Sequence, residues 1–169
     1  MKMGEPEGLI RFFLEPGEHY YSSYPAVVQT ILGSCIAVTI HSPRLCSGAI
    51  CHAMLPDSSS GRPGEHVEEA ISIILKKMID HGAKKGELVV KLFGGSNVLS
   101  MAIKNGNRPP SIGEQNIEQA LKTLHKLELE ISARDTGGDT GRKLFFHTSS
   151  GDVFVRRQRS SPAKRSATI

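Results

Sequence analysis

The apolar positions of this chain alternate with period two, lengthen to a helical period, and return, and these changes mark out its elements. Residues 9–14 are a short apolar stretch that reads as a strand. Residues 26–32 are apolar and β-prone, Gly33 and Ser34 interrupt them, and residues 36–41 resume the pattern. That predicts strand, tight turn, strand. Residues 47–55 predict a third strand, ended by Pro56. The stretch 57–64, rich in serine and glycine, predicts a loop. Between 65 and 81 the spacing changes: Val67, Ala70, Ile71, Ile74, Leu75 and Met78 recur at helical intervals, and Gly82 is placed as a left-handed cap. Residues 88–93 predict a short strand stopped by Gly94-Gly95. A second helix is announced by Pro110 and by the capping box of Ser111 and Glu114. It continues in the stripe Ile117, Ala120, Leu121, Leu124. Residues 127–133 alternate Leu127, Leu129, Ile131 and Ala133 with polar neighbours, which predicts a half-buried strand. Residues 143–147 and 153–157 predict a hairpin around 149–152.

Two separated helices among strands at both ends predict an α+β layered fold. A length of 169 residues suits one domain, taken as 1–157, and a basic tail, 158–169, expected to be disordered. Charge sharpens that division. The net charge is +4, but Arg156, Arg157, Arg159, Lys164 and Arg165 sit in the acid-free stretch 156–169, leaving residues 1–155 at −1. The body is close to neutral and carries no nucleic-acid-binding signature. An aromatic content of 5% without tryptophan also argues against a base-stacking platform.

Cys35, Cys46 and Cys51 are an odd set. The first residues carry no apolar leader, and no apolar run approaches the ~20 residues that span a bilayer. These features lead us to expect a cytoplasmic protein with free thiols and no integral membrane segment.

Cys35 and His52 are the candidate chemical groups. Cys35 follows Thr30-Ile31-Leu32-Gly33-Ser34, at the mouth of a turn where Gly33 leaves backbone N–H groups beside the thiol. Amide hydrolysis needs a nucleophile, a base and oxyanion donors. The N–H groups of Ser34 and Cys35 suit the last role. His52 lies on the third strand, which can pair with the strand after Cys35. The strand-forming residues after Cys35 provide no helix N-terminus to lower the thiol pKa, so a thiolate would have to lean on His52 as imidazolium. A third group should orient His52, and Thr30 offers a hydroxyl. Taken alone, a cysteine and a histidine on strands are more often core residues. Cys46, Cys51 and His52 make a poor zinc set, because adjacent strand residues face opposite ways and no fourth ligand is evident. Gly94-Gly95 reads as a tight turn, since no Gly-Lys-Ser/Thr follows it. Asp135 and Arg142 read as an ion pair across a Gly-rich turn.

The run Thr-Ile-Leu-Gly-Ser-Cys-Ile-Ala-Val at 30–38, followed by Gly-Ala-Ile-Cys-His-Ala-Met-Leu-Pro at 48–56, resembles the CheD family of chemoreceptor glutamine deamidases. So do Lys-Leu-Phe-Gly-Gly-Ser at 91–96, Ile-Gly-Glu-Gln-Asn at 112–116 and Asp-Thr-Gly-Gly-Asp-Thr-Gly-Arg at 135–142. The blocks fall in order over residues 8–157, which makes them far more specific together than singly. The resemblance implies a layered α/β/β sandwich with mixed and antiparallel sheets, Cys35 as nucleophile and His52 as general base. It implies a threonine shortly before the cysteine as third member. Thr30 is the residue here, although an offset of one would put Gln29 at that position. Because neighbours on a strand face opposite sides, only one of the two can face His52. Gln115 stands where the family often has arginine, a local difference.

The function implied is deamidation of glutamine side chains on methyl-accepting chemotaxis receptors through a thioester, with no cofactor or metal, and in some members methyl-ester hydrolysis as well. The alternative is a docking module that binds chemoreceptors or the phosphatase CheC without turnover. An unrelated hydrolase of small amides is a weaker third reading. Nothing in the sequence resembles a dimer seam, so a monomer is expected.

Overall fold

The computed structural model describes residues 8–57, 61–97 and 108–158. The predicted tail lies almost entirely outside these residues. Among them are the strands β1 (Ile10–Phe13), β2 (His19–Ser22), β3 (Ala26–Leu32), β4 (Ile36–Ser42), β5 (Ser47–Ala53), β6 (Val89–Gly94), β7 (Ile131–Thr136), β8 (Arg142–His147) and β9 (Val153–Arg157). The helices are α1 (Val67–Asp80) and α2 (Ile112–Lys126). One sheet has the order β1-β3-β8-β9 and the other β2-β5-β4-β6-β7.

Three layers result. The five-stranded sheet lies in the middle, with the helices on one face and the four-stranded sheet on the other. Ile36, Val38, Ile40, Ala49, Cys51 and Ala53 face the helices and pack with Ile71, Ile74 and Met78 of α1 and Leu124 of α2. Ala37 and Ile50 face the other way and pack with Val28 and Leu32 of β3 and Leu144 and Phe146 of β8. This explains why β4 and β5 are buried at every position: each face covers a different core. Each fully buried Ile, Leu or Phe contributes roughly 1.5–3 kcal/mol of transfer free energy. The α+β layering expected from the pattern, and the sandwich that the resemblance implies, are both observed.

Gly82 closes α1 with φ 96°, as its position predicts. Ser111 caps α2, its hydroxyl accepting from the Glu114 N–H while the Glu114 carboxylate accepts from the Ser111 N–H. The strand expected over 127–133 begins only at Ile131. Helix α2 instead runs to Lys126 and ends with Glu128 in the left-handed region, φ 56°, while the Leu129 N–H bonds back to the Leu124 carbonyl. A glycine or asparagine would have signalled that stop; a glutamate does not. Leu129 is buried as part of the helix closure, so its alternation with polar neighbours imitates a strand. Strand β2 carries no periodic apolar signal and was not expected. It adds to the edge of β5 through the pairs His19–Cys51 to Ser22–Gly48.

Candidate functional site

Strands β3 and β4 are consecutive but belong to different sheets, so the turn Gly33-Ser34-Cys35 crosses from one layer to the next. Its carbonyls are all held. Gly33 O accepts from the Ser96 N–H at 2.9 Å and from the Ser96 hydroxyl at 2.8 Å. Ser34 O accepts from Nδ2 of Asn116 at 2.9 Å. Cys35 O accepts from the Gly95 N–H at 2.8 Å. The left-handed glycines here are Gly94 (φ 99°) and Gly95 (φ 69°), on the facing turn, so the conformational freedom expected of Gly33 is used by its neighbours across the gap. A Cβ on Gly94 would collide with the Cys35 carbonyl oxygen. Among the described residues, neither the Ser34 N–H nor the Cys35 N–H donates to another residue.

Strand β5 pairs with β4, and His52 stands opposite Ala37. Alternation then decides the facing. Cys51 points into the helix-side core, where burial pushes its thiol up to about 12. His52 points between the sheets. Cys35 precedes Ala37 by two residues and packs against the same inter-sheet core. Cys35, immediately before β4, and His52 therefore face the same inter-sheet side. Cys35 is partly exposed, whereas His52 is only 2% exposed.

Thr30 also points inward. Its hydroxyl lies 2.8 Å from Nδ1 of His52 and 2.8 Å from the Leu14 carbonyl. A carbonyl cannot donate, so the single hydroxyl proton goes to Leu14 and the hydroxyl oxygen accepts Nδ1–H. That assigns the tautomer and leaves Nε2 with its lone pair. Nε2 is buried and finds no hydrogen-bond partner among the described residues. Gln29 faces the opposite side of the strand, so Thr30 is the residue that reaches His52. The His52 backbone is fixed as well, its N–H donating to Glu18 O and its carbonyl accepting from the Gly17 N–H.

Burial pulls the His52 imidazole down to about 4, only partly opposed by the Leu14 carbonyl and the Glu18 charge. Burial raises the Cys35 thiol, with its own N–H pulling the other way. Both directions favour a neutral thiol beside a neutral imidazole.

The remaining sequence blocks surround this turn. Gly113 of α2 packs directly on the Gly95 and Ser96 carbonyls, where any Cβ would clash. That approach brings Asn116 within reach of both Ser34 O and Met54 O, at 2.9 and 3.0 Å. Arg142, at the head of β8, is buried. It donates to Asp135 Oδ1 through Nη2 at 2.9 Å and to Gly137 O at 2.8 Å, the ion pair expected across the Gly-rich turn. The Gly137 N–H in turn holds the Gly94 carbonyl. A cavity of about 420 Å³, lined by Gly95, Asn97, Arg108 and Glu114 among others, abuts the same turn. Gln115 makes a local contact, donating to Pro110 O. Cys46 is exposed on the β4–β5 turn. Among the described residues no group of three His, Cys, Asp or Glu could hold a metal ion. Nor, among them, is any helix long and apolar enough to cross a membrane. Ser96 and Asn116 had no role assigned from sequence. The available signal was a polar amide, Asn116, on the face of α2 that also buries Ala120, Thr123 and Leu124.

The family model for CheD chemotactic sensory transduction matches residues 54–157. A Geobacter sulfurreducens protein named "Probable chemoreceptor glutamine deamidase CheD 2" is 39% identical over 145 residues, covering 86% of this chain and 88% of that one. A Maridesulfovibrio salexigens protein named "Probable chemoreceptor glutamine deamidase CheD" is 40% identical over 155 residues, covering 87% and 91%. A Methanococcus maripaludis protein of the same name is 35% identical over 136 residues, covering 79% and 86%. The family model begins after His52, but a match as long as that to the Geobacter protein necessarily spans both Cys35 and His52.

Proposed function

Because this chain belongs to the CheD family, we propose that it is a cysteine-dependent protein-glutamine glutaminase that converts glutamine side chains of methyl-accepting chemotaxis receptors to glutamate. The observation that carries the reading is the buried His52, tautomerised by Thr30, whose lone pair at Nε2 is unpartnered among the described residues on the face that Cys35 shares. Ordinary core histidines satisfy both nitrogens or expose one.

Nε2 of His52 takes the Cys35 proton as sulfur attacks the side-chain carboxamide carbon. The C–S bond forms, and the carbonyl oxygen becomes an oxyanion beside the Ser34 and Cys35 N–H groups. His52 then returns the proton to the nitrogen, the C–N bond breaks, and ammonia leaves a thioester on Cys35. Water, deprotonated by His52, attacks the thioester carbonyl; the C–S bond breaks and the thiol recovers its proton. The product is a glutamate side chain. The steps use only this chain's groups and water. We place the activity in the cytoplasm, where thiols stay reduced.

A docking role without turnover gains nothing from a buried imidazole kept neutral with a free Nε2. The test is ammonia release from a purified chemoreceptor cytoplasmic fragment of the same organism. Release by the wild type that is absent in both Cys35→Ala and His52→Ala is expected. Equal release by wild type and Cys35→Ala would sink the proposal.

A further inference from the structure

A trans peptide unit is planar, so its C=O and N–H point in opposite directions. Fixing a carbonyl oxygen therefore fixes the aim of the N–H that follows it. The two N–H groups assigned above to the oxyanion belong to the Gly33–Ser34 and Ser34–Cys35 units. Both units are held from behind. The Gly33 carbonyl accepts two bonds from Ser96, one from its N–H and one from its hydroxyl. The Ser34 carbonyl accepts one from Asn116.

Asn116 is fully buried, and both hydrogens of its amide go to carbonyls, Ser34 O and Met54 O. Met54 lies just past His52 on the β5 side. One side chain therefore ties the nucleophile's turn to the segment that carries the base. Because both partners are carbonyl oxygens, the group facing them must be the NH₂. The cost is visible: Oδ1 is buried with no partner among the described residues. An apolar residue filling the same space would orphan no acceptor of its own, so packing alone does not account for an asparagine here. Three glycines serve the same arrangement. Gly94, Gly95 and Gly113 each sit where a Cβ would strike the Cys35 carbonyl, Ile117 or the Gly95 and Ser96 carbonyls. They bring the clamp against the turn.

We infer that Asn116 and Ser96 are positioning residues of the reaction: by gripping the Ser34 and Gly33 carbonyls from behind, they aim the Cys35 and Ser34 N–H groups at the developing oxyanion. The inference rests on the cysteine-hydrolase reading above and extends it to the second layer of the site.

Two electrophiles separate this from a scaffold role. Iodoacetamide alkylates Cys35 by displacement of iodide, which forms no oxyanion. p-Nitrophenyl acetate acylates the same sulfur through a tetrahedral oxyanion, expelling p-nitrophenolate. Both are applied to the full chain, with labelling at Cys35 located by peptide mass spectrometry because Cys46 is also exposed. Asn116→Ala is expected to slow acylation by about 10- to 100-fold while alkylation at the same pH stays within about twofold of wild type. Ser96→Ala keeps the Ser96 N–H on Gly33 O and should lose about threefold in acylation alone. It decides the question if the asparagine variant does not fold. Equal slowing of both reactions would reduce the pair to scaffold, and unchanged acylation would remove them from the mechanism. Normal wild-type acylation with no action on receptor glutamine would sink the substrate assignment and leave this inference standing.

Discussion

The Thr30 hydroxyl stands between the His52 imidazole and the Leu14 carbonyl, 2.8 Å from each, and so holds Nε2 of His52 as the unprotonated nitrogen. Thr30→Val removes that acceptor and lets the tautomer change. Ammonia release should fall by about 10- to 100-fold. Thr30→Ser should stay close to wild type, and Gln29→Ala, on the opposite face, should have no effect. Loss of activity on Gln29→Ala with retention in Thr30→Val would reverse the assignment.

A neutral resting pair has a distinct pH signature. Burial raises the Cys35 thiol and lowers His52 to about 4. The rate of Cys35 alkylation by iodoacetamide should therefore rise through a single step on the alkaline side of an ordinary thiol. A plateau already reached between about pH 5 and 6 would instead identify a thiolate–imidazolium pair.

His52 also links stability to pH. Its folded pKa of about 4 lies below the ordinary value of 6.5, so the unfolded chain takes up the proton first as pH falls. The contribution is complete above about 6.5 and is lost progressively as pH falls to about 4, a total on the order of 3 kcal/mol. Urea titrations of the wild type should show this extra slope across that window. In His52→Phe the slope should be absent, whatever its absolute stability.

The Gly-rich turn depends on the ion pair beneath it. Asp135→Ala would leave the buried Arg142 guanidinium with the Gly137 carbonyl as its one remaining partner among the described residues. A loss of roughly 3–5 kcal/mol is expected from stranding a buried charge. The double variant Asp135→Ala/Arg142→Met should recover a good part of it, measured by the same titrations.

Much of this was legible from residue pattern. The strands β3, β4, β5, β8 and β9 and both helices carry their period openly, and Ser111, Glu114 and Gly82 mark helix ends by chemistry that works locally. Alternation also foretold that Cys51 and His52 face opposite ways. Three things were hidden for physical reasons. The choice between Thr30 and Gln29 needed the register of β3 against the site, which no local signal carries. The end of α2 rests on a glutamate in a conformation that usually calls for glycine. The clamp on the cysteine turn joins Gly33, Ser34, Ser96 and Asn116, residues far apart in sequence, through backbone carbonyls that are the same in every residue type. Only the three-dimensional approach allowed by Gly94, Gly95 and Gly113 gives those carbonyls their partners.

The most direct test of the central claim is peptide mass spectrometry of a chemoreceptor cytoplasmic fragment after incubation with this protein. The account predicts amide-to-acid conversion at defined glutamines with the wild type, and none with Cys35→Ala or His52→Ala. A receptor fragment that binds the folded wild-type protein yet keeps every glutamine unconverted would contradict it.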